Sequence, residues 1–318
     1  MKVLITGGAG FIGTAVANVL RDNGLQVRLF DISMDISPLE GVEKVSGSIL
    51  DKHMLAEAMR GCDAVVHLAA MLGVKKTETH PLSCLNINIE GSINVFETAV
   101  KERVKRVVFS SSSEVYGEAP VDQISETTPI NPKSVYAVGK IAAEHYLNGF
   151  AKRYGMEYSV VRFFNVYGPG QVAEFVLPRF VKMAQEDIPP TIYGTGEQVR
   201  VFCYVEDAAR GVHLALTRPE ANGQVFNIGN DGEPITVKGL AEKVIAISGK
   251  KLPMNFIDLA QSDRTPDREI FVRRPNIAKA RQVLGYEPRV SLEEGIRRVM
   301  ATTIEASWVD PIRIPEKR

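Results

Sequence analysis

The chain has 318 residues, which corresponds to about two domains of roughly 150 residues each. Its 38 lysine and arginine residues balance 38 acidic residues, so no net charge attracts nucleic acid, and no apolar run approaches the roughly 20 residues of a membrane-spanning helix. The three cysteines are odd in number, widely separated and without Cys-x-x-Cys spacing, so they indicate neither a disulfide framework nor a zinc site. We therefore expect a cytoplasmic protein that binds no nucleic acid, membrane or metal.

Short β-branched runs alternate with stretches of helical length in the first half of the chain. The runs are 3–5, 27–30, 64–68, 106–109 and 159–164, and the clearest helices are predicted from near residue 13 to 23 and from 86 to 102. Apolar runs this short are typical of strands buried on both faces of a parallel sheet, and the helices between them imply right-handed crossovers. The sequence therefore predicts an α/β fold with a Rossmann doubly wound parallel sheet.

The pattern changes after Asn165, where glycine and proline residues separate shorter segments. We predict a Rossmann domain over residues 1–165 and a smaller mixed α/β domain formed mainly by 166–318. The run 225–228 has the composition of a further buried strand. A segment around 200–230 is therefore expected to return to the first domain.

Glycines occupy every third position after the first predicted strand, at Gly7, Gly10 and Gly13. In this arrangement the first permits a tight turn, the second lets the backbone approach a pyrophosphate, and the third lets helix and strand pack closely. The N–H groups at the start of the helix then point at the phosphates. Asp31 ends the second predicted strand, where a carboxylate can bind both ribose hydroxyls and repel a 2′-phosphate. These features predict a site for NAD rather than NADP.

Four serines and a glutamate at 110–114 follow the predicted strand 106–109, at the sheet edge where open α/β folds bind their ligands. Serines in such a position can equally satisfy backbone donors of a turn. Further along, Tyr136 and Lys140 are four residues apart and so share one face of a helix, although an exposed Lys140–Glu144 pair explains that spacing equally well. The functional interpretation depends on the order of glycine loop, acidic strand end, serine run and Tyr–Lys pair.

In that order, the motifs resemble those of the extended short-chain dehydrogenase/reductase family, in particular its NAD-dependent nucleotide-sugar epimerases, dehydratases and decarboxylases. The resemblance covers about residues 1–300. It implies that Tyr136 is the base that removes a proton from a sugar hydroxyl, while Ser112 holds the same oxygen and hydride passes to NAD. For this role the Tyr136 pKa must fall from about 10 to near neutrality, and we expect Lys140 and the nicotinamide charge to lower it.

The resemblance also implies which residues contact the two ligands, with the first domain binding NAD and the second mainly the substrate. The cofactor residues are Gly7, Gly10, Phe11, Ile12, Gly13, Asp31, Ser48, Ile49, Leu68, Ala69, Ala70, Asn88, Ser110, Tyr136, Lys140 and Phe163. The substrate residues are Ser112, Ser113, Asn165, Tyr193, Arg200, Arg264 and Arg273. Of these, Asn165 and Arg200 match family positions at the diphosphate. The second diphosphate arginine is either Arg264 or Arg268, and the sequence does not choose between them.

The step after oxidation distinguishes the possible enzymes. An epimerase returns hydride to the other face of the keto sugar and needs no further acid. Dehydratases of the family carry an Asp-Glu pair after the active hydroxyl residue, whereas this chain has Ser113 and Glu114 there. Decarboxylases carry Ser-Glu and an arginine matching Arg273, which can orient a carboxylate. Residues 163–169 look more like a 4-epimerase, so we predict a 4-epimerase of a UDP-hexose with Glu114 in its catalytic site.

Three alternatives stay open beside the 4-epimerase. Two are enzymes that share its 4-keto intermediate, a UDP-glucuronate decarboxylase and a nucleotide-sugar dehydratase. The third is a non-catalytic NAD-binding module that regulates a partner. The family resemblance further implies a homodimer formed through the helices around 86–102 and 136–150.

Overall fold

A computed structural model of the protein describes residues 1–33, 39, 41–258 and 270–305. The strands of this part are β1 (Lys2–Thr6), β2 (Gln26–Asp31), β3 (Glu43–Ser46), β4 (Ala64–His67), β5 (Arg106–Ser112), β6 (Glu157–Phe163), β7 (Val166–Tyr167), β8 (Thr191–Tyr193), β9 (Val199–Arg200), β10 (Cys203–Tyr204), β11 (Gln224–Ile228), β12 (Ile235–Thr236), β13 (Asn255–Ile257) and β14 (Val272–Arg273). The α-helices are α1 (Phe11–Asp22), α2 (Lys52–Met59), α3 (Val74–Thr79), α4 (Pro81–Leu85), α5 (Gly91–Lys101), α6 (Val135–Tyr154), α7 (Val176–Gln185), α8 (Val205–Thr217), α9 (Val237–Ser248) and α10 (Leu292–Met300).

The central element is a seven-stranded parallel sheet in the order β11-β6-β5-β4-β1-β2-β3. Alternate side chains of its strands enter two separate cores, because successive residues of a strand point to opposite faces. Val3 and Ile5 pack with α1 and α8 on one face, whereas Leu4 packs with α2 and α5 on the other. Helix α6 joins the second face. The predicted Rossmann doubly wound sheet is therefore confirmed.

Two details of the sheet differ from the sequence prediction. Strand β5 continues through Ser112, because the serine backbone keeps pairing with β6 as far as the Ser112–Phe163 register pair. Ser110, Ser111 and Ser112 thus belong to the strand, whereas Ser113 begins the 3-10 helical turn that follows it. Strand β3 was not predicted, because the polar sequence of Glu43–Ser46 lacks an apolar run and the strand lies at the edge of the sheet beside β2.

The predicted helix over 86–102 is present, but it begins with a π-helical turn, Asn86–Glu90, before α5. The predicted return to the sheet also occurs, since β11 pairs in parallel with β6 from Gln224–Ser159 to Ile228–Phe163. Beyond the large sheet, helices α7, α9 and α10 share a third core with short strands, and residues such as Phe180 and Ile296 are buried there. The division of the chain into two domains stays a prediction.

In the described residues, no helix combines the length and the apolar character that crossing a bilayer requires. The same part of the chain contains no group of three or more His, Cys, Asp or Glu side chains arranged to bind a metal ion.

Candidate active site

The glycine turn between β1 and α1 leaves no room for side chains. Gly7 has a φ of +70°, and a Cβ on it would lie 2.6 Å from the backbone nitrogen of Ala69. A Cβ on Gly13 would lie 2.1 Å from the carbonyl oxygen of Gly7. The turn and the close packing of α1 against it therefore require glycine at both positions, as the sequence predicted.

The N-terminus of α1 is open to an anion. Its cap residue, Gly10, has no side chain to accept a hydrogen bond from the helix, and the first turn, which begins with Phe11 and Ile12, contains no acidic residue. By contrast, Asp51 and Ser134 cap α2 and α6 with their side chains. The free N–H groups and the positive end of the α1 dipole therefore suit a pyrophosphate.

Asp31 lies where β2 ends, directly beside the glycine turn. Its carboxylate accepts hydrogen bonds from the backbone N–H of Ala9 at 3.0 Å and of Ser33 at 3.3 Å. Burial raises the pKa of Asp31, while these backbone donors act in the opposite direction. A carboxylate fixed beside a phosphate-binding turn has the placement that ribose recognition requires.

Other predicted cofactor residues surround the same turn or support it. Leu68, Ala69 and Ala70 directly follow β4, and the closeness of Ala69 to Gly7 brings this segment against the glycine turn. Ile49 is buried and packs on Gly91 of α5, where a Cβ would lie 2.4 Å from its Cδ1 atom.

Two further predicted cofactor residues have side chains that bond to the backbone. The Ser48 hydroxyl accepts a hydrogen bond from the Leu50 N–H at 3.2 Å. The amide of Asn88 accepts from the Met71 N–H at 2.8 Å and donates to the Met71 carbonyl at 3.0 Å. Asn88 therefore fixes the segment that follows β4, and its contact with NAD stays a prediction.

Three predicted reacting residues meet at the carboxyl end of β5. Tyr136 and Lys140 lie one turn apart on α6, and the Ser112 side chain is close enough to Tyr136 to act on the pKa of its phenol. The Lys140 ammonium lies 5.7 Å from the Tyr136 ring centroid and donates to the Ser110 carbonyl at 2.8 Å. Phe163, the register partner of Ser112, ends the neighbouring strand. The structure thus brings together Ser112, Tyr136 and Lys140, as the order of the motifs predicted.

Burial dominates the electrostatics of this cluster in the chain alone. Burial lowers the pKa of Lys140 to about 7. Burial also raises the pKa of Tyr136, and the Glu114 carboxylate raises it further, whereas the Ser112 side chain lowers it. In the chain alone, burial outweighs any lowering of the Tyr136 pKa, so the lowering expected from Lys140 together with the nicotinamide charge stays a prediction for the NAD-bound protein.

Glu114 connects the end of β5 to the start of α6. Its backbone N–H donates to the Ser112 hydroxyl at 3.2 Å, and its carboxylate accepts a hydrogen bond from the Ser134 hydroxyl at 2.9 Å. The Ser134 hydroxyl in turn accepts from the Ala137 N–H at 3.1 Å and caps α6. Glu114 therefore helps to position the helix that carries Tyr136, while the adjacent Ser113 is buried.

The substrate-side arginines that the structure describes are neighbours. Arg200 on β9 and Arg273 on β14 are register partners of two parallel strands, so their Cα atoms are about 5 Å apart and both side chains lie on one face. A guanidinium nitrogen of Arg200 also donates to the Phe271 carbonyl at 3.3 Å. Arg264 and Arg268 lie outside the described residues.

Asn165 and Tyr193, the other predicted substrate residues, lie on separate segments of the chain. Asn165 has a φ of +39°, which asparagine tolerates better than most residues, and its amide donates to the Val201 carbonyl at 2.9 Å. It therefore links the end of β6 to the segment that follows Arg200. Tyr193 is on β8, where the Arg179 guanidinium lies 5.1 Å from its ring centroid.

Comparison with known proteins agrees with this geometry. The model of the NAD dependent epimerase/dehydratase family matches residues 3–229. The chain belongs to the NAD-dependent epimerase/dehydratase family. A relative, the UDP-N-acetyl-alpha-D-glucosaminuronate decarboxylase of Bacillus cytotoxicus, is 31% identical over 315 residues, which cover 94% of this chain and 96% of the relative.

Two solved structures of UDP-glucose 4-epimerases are similar to this family member. The Thermotoga maritima enzyme with UDP-glucose has a TM-score of 0.87 and 33% identity, covering 94% of this chain and 97% of the other. The Thermus thermophilus enzyme in complex with NAD has a TM-score of 0.85 and 30% identity, covering 94% and 98%. The cofactor of this epimerase/dehydratase family member is NAD, which fits the glycine turn, the uncapped start of α1 and the placement of Asp31.

One residue of this family member's candidate site was not predicted from the sequence. Ser134 joins Glu114 to the N-terminus of α6. Two hydrogen bonds, through Glu114, therefore connect Ser134 to Ser112 at the end of β5. A serine immediately before a helical segment is a signal for an N-cap, and this signal identifies Ser134 when it is applied to the segment containing Tyr136.

Proposed function

We propose that this protein is a nucleotide-sugar 4-epimerase that acts on a UDP-hexose such as UDP-glucose. The observation that carries the proposal is the composition of the cluster at the end of β5. Ser112, Tyr136 and Lys140 meet there. The residue that follows Ser112 in the chain is a buried serine, Ser113, rather than a carboxylic acid. Such a cluster can move one proton at a sugar hydroxyl but has no acid at that position to protonate a leaving hydroxyl, which disfavours dehydration.

In this proposal, Tyr136 removes the proton from the C4 hydroxyl and later returns it, while Ser112 hydrogen-bonds to the same oxygen. When bound, NAD supplies the hydride acceptor and, in its oxidised form, a positive charge that favours the phenolate. The Lys140 ammonium, 5.7 Å from the Tyr136 ring centroid, favours the same charged form. A keto sugar that rotates before the hydride returns gives the 4-epimer.

The paired arginines support a diphosphate site and bear on the decarboxylase alternative. Two guanidinium groups on one face suit two adjacent phosphates, and each can form a bidentate contact. We therefore assign Arg200 and Arg273 to the same diphosphate. Since this assignment uses Arg273 at the phosphates rather than at a sugar carboxylate, it favours the epimerase over the decarboxylase.

The remaining assignments follow from the same placement. Residues 1–165, with β11 returning to their sheet, are proposed to bind NAD, and residues 166–318 mainly the nucleotide sugar. Asn165 is proposed to reach the phosphates from the end of β6. Tyr193 is proposed to line the pocket for the nucleobase, with Arg179 holding its ring.

A product assay tests the proposed reaction. Incubation of the purified chain and NAD with UDP-glucose is expected to yield UDP-galactose without accumulation of NADH, as separated nucleotide sugars and reduced-cofactor absorbance will show. A parallel incubation with UDP-glucuronate is expected to release no carbon dioxide. Release of carbon dioxide that disappears in Arg273→Gln would instead establish the decarboxylase.

We also propose a homodimer formed through α5 and α6. An aromatic surface runs along α6, where Tyr146 and Tyr154 are 47% and 52% exposed and line a depression together with Phe150. An apolar patch spanning several helical turns is typical of a protein interface, and a twofold axis would place it against its own copy. Sedimentation should give twice the mass of 34.9 kDa for the wild type, and a monomer for Tyr146→Glu. A wild-type monomer at micromolar concentration would contradict the proposal.

A further inference from the structure

A cavity of about 440 Å³ lies on the outer side of α8. It is bounded by the second half of that helix, by the residue that follows α1 and by residues 285–289. The titratable and charged side chains that line it are Arg210, His213, Arg218, Tyr286, Glu287 and Arg289. We refer to this space as the arginine cavity.

The acidic groups at the arginine cavity already have cationic partners. The Glu287 carboxylate accepts from the Nε atom of Arg281 at 2.8 Å. Asp207, which is buried beneath the cavity, forms an ion pair with Arg210. Both carboxylates are therefore engaged by arginines other than Arg218 and Arg289.

Among the residues that the structure describes, neither Arg218 nor Arg289 has an acidic group within ion-pair distance. Each also lies close to another basic group. Burial lowers the pKa of Arg210, and the positive charge of Arg289 lowers it further. In the same way, burial and the positive charge of Arg218 lower the pKa of His213. The lining therefore concentrates positive charge that an anion would neutralise.

The backbone that carries these side chains is well fixed. Asp207 accepts hydrogen bonds from the N–H groups of Arg289 and Val290 at 3.0 and 3.1 Å. The Tyr286 hydroxyl donates to the Gly229 carbonyl at 2.9 Å. The guanidinium groups thus extend from a preorganised frame, which reduces the entropy lost when a ligand binds.

The arginine cavity is separate from the site described above. Helix α8 covers the sheet face that also packs α1, whereas α6, with Tyr136 and Lys140, covers the opposite face. The sheet therefore lies between the cavity and the reacting residues. Neither the proposed reaction nor NAD binding uses any residue of its lining.

We propose that the arginine cavity binds the phosphate group of a small molecule. Guanidinium groups form strong, bidentate hydrogen bonds with phosphate oxygens, and the cavity places those of Arg218 and Arg289 around one space, beside the Arg210 guanidinium that is paired with Asp207. Its volume falls within the roughly 300–1,000 Å³ of small-molecule sites, which suits a diphosphate or a phosphate ester. A phosphate bound there neutralises the positive charges of both Arg218 and Arg289.

Calorimetric titration of the NAD-loaded full chain with inorganic pyrophosphate, at constant ionic strength, tests this site. We expect saturable binding with a Kd below about 1 mM. Arg218→Gln/Arg289→Gln is expected to weaken binding at least about tenfold, because two charge-assisted contacts are lost. Arg200→Gln, which alters the proposed nucleotide-sugar site, should retain binding at the arginine cavity.

The charge-matched control is Lys101→Gln/Lys152→Gln, whose exposed lysines lie on α5 and α6 at the opposite face of the sheet. The proposal would be overturned if both double variants weakened pyrophosphate binding equally, or if only Arg200→Gln abolished it. It would also be overturned if the wild type showed no saturable binding. Hydrogen exchange of the wild-type chain gives a test without mutations. Pyrophosphate should protect amides of 210–218 and 285–289, and protection confined to residues 7–13 or 199–201 would reject the cavity as the site.

Discussion

Replacement of Tyr136 by phenylalanine is expected to lower kcat/KM for the nucleotide sugar by roughly 10³-fold, within the range attributed to a positioned general base. The substitution removes only the phenolic hydroxyl, whose pKa Ser112 influences, and leaves the ring near Lys140. The fold and the affinity for NAD should therefore be nearly unchanged. Steady-state kinetics, together with a titration of NAD binding, measures both effects.

A matched control is available on the same helix. Tyr146→Phe removes a hydroxyl from α6 at a position that is 47% exposed and outside the cluster, so its kcat/KM should stay close to the wild-type value. If Tyr136→Phe retained wild-type turnover, the assignment of Tyr136 as the base would fail. The non-catalytic NAD-binding alternative would then become the better interpretation.

Replacement of Arg162 by methionine is expected to lower the free energy of unfolding by about 3–5 kcal/mol, since it leaves a buried carboxylate without its partner. The Arg162 and Glu144 side chains are only 5% and 10% exposed, and two hydrogen bonds of 3.0 and 2.6 Å join them. Arg162 also donates to the Tyr116 hydroxyl at 2.9 Å, and that hydroxyl donates to Asn227 at 2.7 Å. Denaturant unfolding of the two proteins measures the difference.

Two further variants distinguish the effect of breaking the buried ion pair from the effect of removing a positive charge elsewhere. Arg162→Met/Glu144→Gln should be less destabilised than Arg162→Met alone, because no unpaired charge stays buried. Arg297→Met breaks an exposed pair with Glu293 and should lower the free energy of unfolding far less than Arg162→Met does. Equal destabilisation by Arg162→Met and Arg297→Met would show that the buried pair has no special role.

Most of the sheet could be predicted from the sequence because its strands are short apolar runs between helical segments. The exceptions have a common cause. Strand β3 and the serine end of β5 are polar, and each is a strand because a neighbouring backbone pairs with it. Pairing partners are a property of the folded chain, so local composition does not contain them.

The reacting cluster could be predicted because its motifs occur in a characteristic order, but its electrostatics could not. The raised pKa of Tyr136 depends on how completely α6 and β5 exclude water, which the spacing of Tyr136 and Lys140 does not encode. Glu144 illustrates the same point. Its partner is Arg162, which β6 supplies, rather than Lys140 at the next turn of its own helix.

The neighbouring positions of Arg200 and Arg273 also depend on tertiary structure. The two residues are far apart in the chain, and only the pairing of β9 with β14 places them side by side. From the sequence alone, Arg200 matches a diphosphate position, and Arg273 matches the arginine that would orient a carboxylate in the decarboxylase alternative. Strand register supports the simpler proposal that they bind one group together.

The return of β11 to the large sheet makes the two halves of the chain depend on each other for folding. A fragment that stopped at residue 165 would lack the strand that covers the outer edge of β6, leaving unpaired N–H and C=O groups beside the apolar residues Val160 and Val161. Such an exposed edge is a template for self-association. A fragment of residues 1–165 is therefore a poor candidate for expression by itself, and a split of the gene after residue 228 keeps the sheet whole.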